Sequence, residues 1–401
     1  MNPTNSTALT SPVHDPASGD VFVGDAGGFI YSVDAAGTVT TSGQLDYGTG
    51  LVDSPTVDSV AGLVYVFASS DGTVDCTGGT TACAAVYQLP VNFADGDFGT
   101  EVAVGNSVAF GTLPNPNPLY AGDFDSAYQN SGDATGNLYV CGNTAGVPII
   151  YQVSIQGGVM GAVNIGPTLA SGNPVCSPVT DVYNPNVTGV PEEWIFASTQ
   201  TGGVGSACAA GGCIFNFVSL PWQPLTTYSL GQELLDSNFH TEVVETAGQS
   251  GATVPTWAIA AGGVTTDGTV KWLDQGLSSA TPPAAWIHNQ SYGLGAEILD
   301  SSNNIERATV RNGTTGNNPP MWNANVGGVT VDGTQHWTNL GALATSSLAA
   351  AGGAGGVISD NTVGTLPGAS QVYFSTLSNQ TCATSGTTGG CAVQASQPAL
   401  K

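Results

Sequence analysis

A paired strand pattern, repeated five times and interrupted once, constrains this chain more than any other feature. A short apolar run preceded by Gly or an acid appears as GDVFVGD (19–25), GLVYVFAS (62–69), GNLYVCGN (136–143), EEWIFAST (192–199) and SQVYFSTL (370–377). Each is followed by a second run: GFIYSVDA (28–35), AAVYQLPV (84–91), PIIYQVSI (148–155), CIFNFVSL (213–220) and CAVQASQP (391–398). Before them stand SPVHD, SPTVD and SPVTD, with looser copies AGDFD and GVISD, ending at Asp15, Asp58, Asp181, Asp125 and Asp360. In chain order these Asp residues are 43, 67, 56 and 179 apart. Removing residues 222–341 reduces the last gap to 59, so those 120 residues are expected to interrupt the array between units four and five.

Units of this length, with three or four short strands and Gly-rich turns, predict an all-β chain of β-propeller-like blade repeats. Five units either close a ring or form part of a larger one. The expected organisation is blades one to four over 1–221, aromatic modules over 222–280 and 281–341, and blade five over 342–401. Composition agrees. Gly supplies 56 of 401 residues, and no amphipathic helical run of useful length is present. No stretch approaches the 18 or more apolar residues of a membrane span.

Charge excludes several partners. Lys271, Arg307, Arg311 and Lys401 are the only cations against 29 acids, for a net charge of −25. No basic patch exists to neutralise nucleic-acid phosphates or anionic lipid. The scarcity of Lys and Arg also leaves few tryptic sites, which suits a protease-rich exterior.

Six of the eight cysteines form close pairs, Cys76 with Cys83, Cys208 with Cys213 and Cys382 with Cys391, separated by small residues. None is C-x-x-C and no His cluster accompanies them, so hairpin-tip disulfides are expected in place of zinc. Cys141 and Cys176 are expected to form a fourth, longer bridge. This density implies an oxidising, extracytoplasmic location. The start, MNPTNSTALTSPV, has neither a basic n-region nor an apolar h-region. A secretion signal is therefore expected to have been removed, or the chain to be part of a longer one.

Residues 222–341 contain an internal copy. Trp222, Tyr228, Gly231, Asp236, Gly248, Gly251, Trp257 and TDGTVKW ending at Trp272 recur as Trp286, Tyr292, Gly295, Asp300, Gly313, Gly316, Trp322 and VDGTQHW ending at Trp337. The offset is 64 residues in the first half and 65 in the second, and six of the seven Trp lie here. Trp272 and Trp337 are expected to fill the core of a module too small to have much of one. Trp222, Tyr228, Trp257, Trp286, Tyr292 and Trp322 are the candidate ligand-binding rings, with Trp257 and Trp322, beside Pro in loops, the foremost. A rigid aromatic offers a large apolar area at small entropic cost. Two such sites in tandem favour a polymeric ligand.

Three resemblances bear on this. GDVFVGDAGGFIYSVDAAGTV resembles a repeat of the pyrroloquinoline-quinone-enzyme-like propellers, which implies a fold and not the cofactor. GNLYVCGNTAGVPIIYQV and VYFSTLSNQTCATSGTTGGCAV look like segments of uncharacterised secreted proteins of acidobacteria-like bacteria. The W-x5-Y-x2-G pattern with its later P-x-W resembles small β-modules of the chitin-binding type and their relatives in phage tail fibres. The resemblance implies sugar binding by exposed aromatics. One aromatic of that family is missing, and the matching positions are read as Glu242 and Arg307.

No catalytic pattern stands out. His14, His240, His288 and His336 are scattered, and H-E-x-x-H, G-x-S-x-G and a phosphate loop are absent. The close Asp residues in 94–101 and 122–133 do not match an EF-hand loop, and turns explain them better than a metal. Glu192 and Glu193 are adjacent in a strand, so at most one faces inward. No cofactor and no metal are expected. The expected function is a secreted, non-enzymatic adhesion or binding protein for a polysaccharide or cell-surface polymer. The alternatives are a structural surface protein with the modules as spacers or protein contacts, and a polysaccharide-active enzyme with its site on the blades.

Overall fold

The computed structural model describes residues 8–73, 82–106, 117–144, 147–171, 175–184, 192–203, 211–230, 232–277, 284–302, 304–324, 328–342, 347–360, 371–382 and 386–396. Among them the chain is all-β, with one short helix, Ser126–Asn130. The repeat units fold as antiparallel meanders. Sheet 1 holds Val13–His14, Val21–Gly24, Ile30–Val33 and Val39–Thr41 in chain order. Sheet 2 holds Thr56–Asp58, Leu63–Ala68, Cys83–Pro90 and Thr100–Asn106, and sheet 3 holds Asp123–Phe124, Gly136–Thr144, Val147–Gln156 and Val159–Thr168. A single parallel pair, Gly105 with Asn143, joins sheets 2 and 3 edge to edge.

Sheet 4 takes Thr180–Asn184, Glu192–Thr199 and Cys213–Val218 from before the aromatic segment and Ser347–Ala349 from after it. The pairing Cys213 with Ala349, Ile214 with Leu348 and Phe215 with Ser347 fixes that fourth strand. The insert therefore lies within the fourth unit, between its third and fourth strands, and not between units four and five as the spacing suggested. A three-residue strand, Ser-Leu-Ala, is too short to carry a readable period. Sheet 5 holds Ile358–Asp360, Gln371–Ser375 and Ala392–Ser396, with the hairpin Gln380–Thr381 and Thr388–Gly389 between its last two strands.

Successive residues of a strand point to opposite faces, and here both faces of the inner sheets are buried. In sheet 2, Val64, Val66 and Ala68 pack on Phe22 and Ile30 of sheet 1, while Tyr65 and Phe67 pack on Leu138 and Val140 of sheet 3. In sheet 3, Tyr139 and Cys141 turn the other way, onto Ile195 and Ala197 of sheet 4. The alternate residues Trp194 and Phe196 meet Val372 of sheet 5. This is why LVYVF and WIFA read as continuous apolar runs instead of alternating ones. Among the described residues no buried apolar cluster joins sheet 1 to sheet 5. Tyr373 and Ile358 of sheet 5 are exposed.

Cys141 and Cys176 form a disulfide that ties sheet 3 to the segment entering sheet 4, and Cys382 with Cys391 closes the hairpin of sheet 5. Closing the 35-residue loop contributes about 3–4 kcal/mol on loop-entropy grounds. Cys83 and Cys213 are also disulfide-bonded; Cys76 and Cys208 lie outside the described residues.

Candidate functional site

Both aromatic modules have one topology. In the first, Thr227–Tyr228 pairs with Gly248–Gln249, and a four-stranded sheet runs Glu233–Leu235, His240–Thr246, Val270–Leu277, Val264–Asp267. In the second, Ser291–Tyr292 pairs with Gly313–Thr314, beside Glu297–Leu299, Asn304–Ala308, Gln335–Ala342 and Val329–Asp332.

The D-G-T turn explains most of the recurring signature. Asp267 accepts the indole N–H of Trp222 at 2.7 Å and of Trp272 at 3.2 Å, and the backbone N–H of Gly251 at 2.7 Å. Asp332 repeats this with Trp286 at 2.7 Å, Trp337 at 3.1 Å and Gly316 at 2.7 Å. Gly268 and Gly333 follow each Asp at positive φ, 59° and 63°, where a Cβ would strike the carbonyl of Gln249 or Thr314 at 2.4 or 2.5 Å. The Thr hydroxyl then accepts a backbone N–H from the neighbouring strand, Gln249 to Thr269 at 2.7 Å and Thr314 to Thr334 at 2.8 Å. One carboxylate thus joins three segments distant in sequence. Trp, Gly, Asp, Gly, Thr and Trp recur together because they form one clamp.

The aromatic rings of the modules separate into two groups. Trp272 and Trp337 are fully buried, as expected of core. In module 1, Tyr228 is 2% exposed and Trp257 7%, both packed edge-on against Trp272. Neither offers a free ring face, so as ligand contacts they are corrected to core. Trp222 is half-buried against the same cluster. In module 2, Trp286, Tyr292 and Trp322 are all half-buried around Trp337. The cause lies beneath them. Ala308 and Gln335 stand where module 1 has Val244 and Val270, as the strand pairing shows. With less apolar volume below, the rings sit farther from the central Trp. Tyr292 is 5.1 Å from Trp337 against 4.7 Å in module 1, and Trp322 is 6.4 Å against 5.9 Å. Around them module 2 exposes Met321 at 98% and Ile287 at 50%. The 65- and 64-residue offsets put Thr256 and Gln223 at those places in module 1.

Module 1 is docked on the sheets and module 2 on module 1. Leu235 and Phe239 enter the core between sheets 3 and 4, with Phe239 edge-on to Tyr139 at 6.2 Å. Both arginines of the chain lie in module 2 and reach back. Arg307 pairs with Glu233 of module 1 and with Glu297 of its own module at 2.8 Å, and Arg311 pairs with Glu245.

The register also corrects the matching of Glu242. Glu242 faces Leu234 and Asp274, and Glu306 faces Ile298 and Asn339, so Glu242 corresponds to Glu306 and Arg307 to Val243. The 64-residue offset of the first half of the modules carried this signal. Both glutamates are fully buried, and no carboxylate oxygen of either has a hydrogen-bond partner. Burial, then the charges of Asp274 and Asp236, pushes the Glu242 carboxyl up to about 9. Burial, then Asp300, pushes Glu306 up to about 7.

The acids singled out on the blades take structural roles. Asp15 accepts from the backbone of Ala17 and Ser18, Asp58 from Val60 and Ala61, and Asp125 caps the short helix at Tyr128. Glu193 is buried; it hydrogen bonds to Asp181 and accepts from Ser126 at 2.7 Å. Burial raises both members of the pair, Glu193 to about 6. Glu193 is fully buried between sheets 3 and 4, and Asp181 is half-buried. Among the described residues no three His, Cys, Asp or Glu side chains are placed to hold a metal ion, and no helix is long and apolar enough to cross a membrane. No protein-family model and no curated protein matches the chain.

Proposed function

We propose that this is a secreted, non-enzymatic binding protein. In this reading the stacked sheets are blades of a propeller-like scaffold, and the second aromatic module presents its rings to a polysaccharide or another cell-surface polymer. The observation that carries the reading is the asymmetry between two otherwise equivalent modules. Module 1 buries Tyr228 and Trp257. Module 2 keeps the equivalent Tyr292 and Trp322 half-open, while Trp222 and Trp286 are half-buried alike, and it replaces the polar neighbours Gln223 and Thr256 with exposed Ile287 and Met321. A core gains nothing from such a change, whereas a stacking platform gains apolar area beside flat rings. The disulfides support an exterior location.

Adsorption to insoluble chitin, cellulose and peptidoglycan tests this. The intact chain is expected to bind at least one of them. Trp286→Ala with Trp322→Ala is expected to lower affinity by about tenfold or more, some 1.4 kcal/mol, while the far-ultraviolet circular dichroism is kept. Absence of binding to every polymer overturns the reading.

A second reading, the modules as a spacer, rests on a different observation: the ion pairs of Arg307 and Arg311 hold module 2 against module 1. It predicts that weakening those pairs alters reach and not affinity.

A further inference from the structure

The duplicated glutamate of the modules has no role in ring stacking, and its surroundings point elsewhere. Glu242 lies two residues before Val244 and opposite Leu234. Strand alternation therefore turns it to the face that carries the Trp272 cluster. Glu306 stands likewise beside Ala308 and Ile298 in the Trp337 cluster. Neither carboxyl has a partner on either oxygen, and both are sealed from solvent. An ionised carboxylate without hydrogen bonds in such a place costs far more than a neutral acid.

Among the described residues no lysine or arginine pairs with either carboxyl. The groups facing Glu242 are Asp274 on the neighbouring strand, Asp236 at the end of the strand on the other side, and His240 on its own strand. The His240 Nδ1 is already engaged with Asp274 at 3.0 Å. The Gly262–Gly263 segment that bonds to the Asp274 backbone brings no ionisable group. Glu306 has Asp300 near it and uncharged Asn339 opposite. Both arginines lie in the module contact instead, on Glu233, Glu297 and Glu245.

We propose that Glu242 and Glu306 are retained as neutral acids, that each module is thereby held folded by a bound proton, and that the protein is built for acidic surroundings. The linkage has a definite sign. Each group holds its proton to higher pH in the folded chain than in the unfolded one, where a Glu titrates near 4.3. Its contribution is whole below that value and is lost as pH rises, through about 7 for Glu306 and about 9 for Glu242. Module 2 loosens first and module 1 second.

The test uses the full chain. Six of its seven Trp are in the modules, so Trp fluorescence reports their melting. The midpoint is expected to fall by about 5 °C or more between pH 5 and pH 9, and Glu242→Gln with Glu306→Gln is expected to remove at least half of that slope. Infrared difference spectra at pH 6, wild type minus the double variant, are expected to show the carbonyl band of protonated carboxyls. If the Gln pair does not fold, Glu242→Met with Glu306→Met provides the same difference and is expected to match or exceed wild type at pH 9. A midpoint flat or rising with pH, an unchanged slope in the variants, or a difference spectrum of ionised carboxylate bands overturns the proposal.

Discussion

Asp267 and Asp332 show how much one side chain can organise. Each accepts two indole N–H groups and one backbone N–H. Replacing either with Ala leaves one buried and two part-buried donors without an acceptor, at about 1–3 kcal/mol for a buried donor and less for the others. Asp267→Ala or Asp332→Ala is therefore expected to lower the unfolding free energy by about 3 kcal/mol or more, read from denaturant titration followed by Trp fluorescence. The rings differ between the copies. Trp257→Ala, emptying a closed core, is expected to cost about 3–5 kcal/mol, and Trp322→Ala clearly less in the same titration. The recurrence of these residues was plain in the sequence, but not their direction. Core and platform use the same amino acids, and what separates them is the volume beneath, Val244 and Val270 in one copy and Ala308 and Gln335 in the other.

At the scale of elements, the strand Ser347–Ala349 and the turn residue Phe239 decide how the insert is carried. The strand returns to sheet 4 across the whole insert, so the modules leave and re-enter one sheet instead of bridging two. Phe239 is fully buried between Tyr139 and the sheet 4 residues. It sits at positive φ, 64°, an uncommon conformation for a bulky side chain. Its counterpart in module 2 by the 64-residue offset is Asn303, which lies outside the described residues. Phe239→Ala is expected to cost about 3–5 kcal/mol. Limited proteolysis should then cut near the module boundary while the sheets stay intact; unchanged resistance would contradict this anchoring. The strand pairs and their order were legible because their apolar runs are long and bounded by Gly. The point of insertion differs by one strand from what the spacing implies, because three residues carry no period.

Across the whole molecule, the apolar layers between consecutive sheets make one stacked body, the first aromatic module stands on its third and fourth sheets, and the second stands on the first. The buried acids extend through this body. The Asp181–Glu193 pair lies in the seam of sheets 3 and 4, and Glu242 and Glu306 in the modules. Poverty in Lys and Arg was visible from composition; that it leaves carboxyls neutral inside the fold was visible only once the strand register was known. Binding is expected from the module that spends least of its aromatic surface on its own core. Oxidative footprinting of the seven Trp, resolved by residue and repeated with soluble chitin, cellulose and peptidoglycan fragments, tests this most directly. Trp286 and Trp322 are expected to react faster than Trp257, Trp272 and Trp337 in the free protein and to be protected by at least one fragment. Equal reactivity of Trp257 and Trp322, or no protection by any fragment, would contradict it.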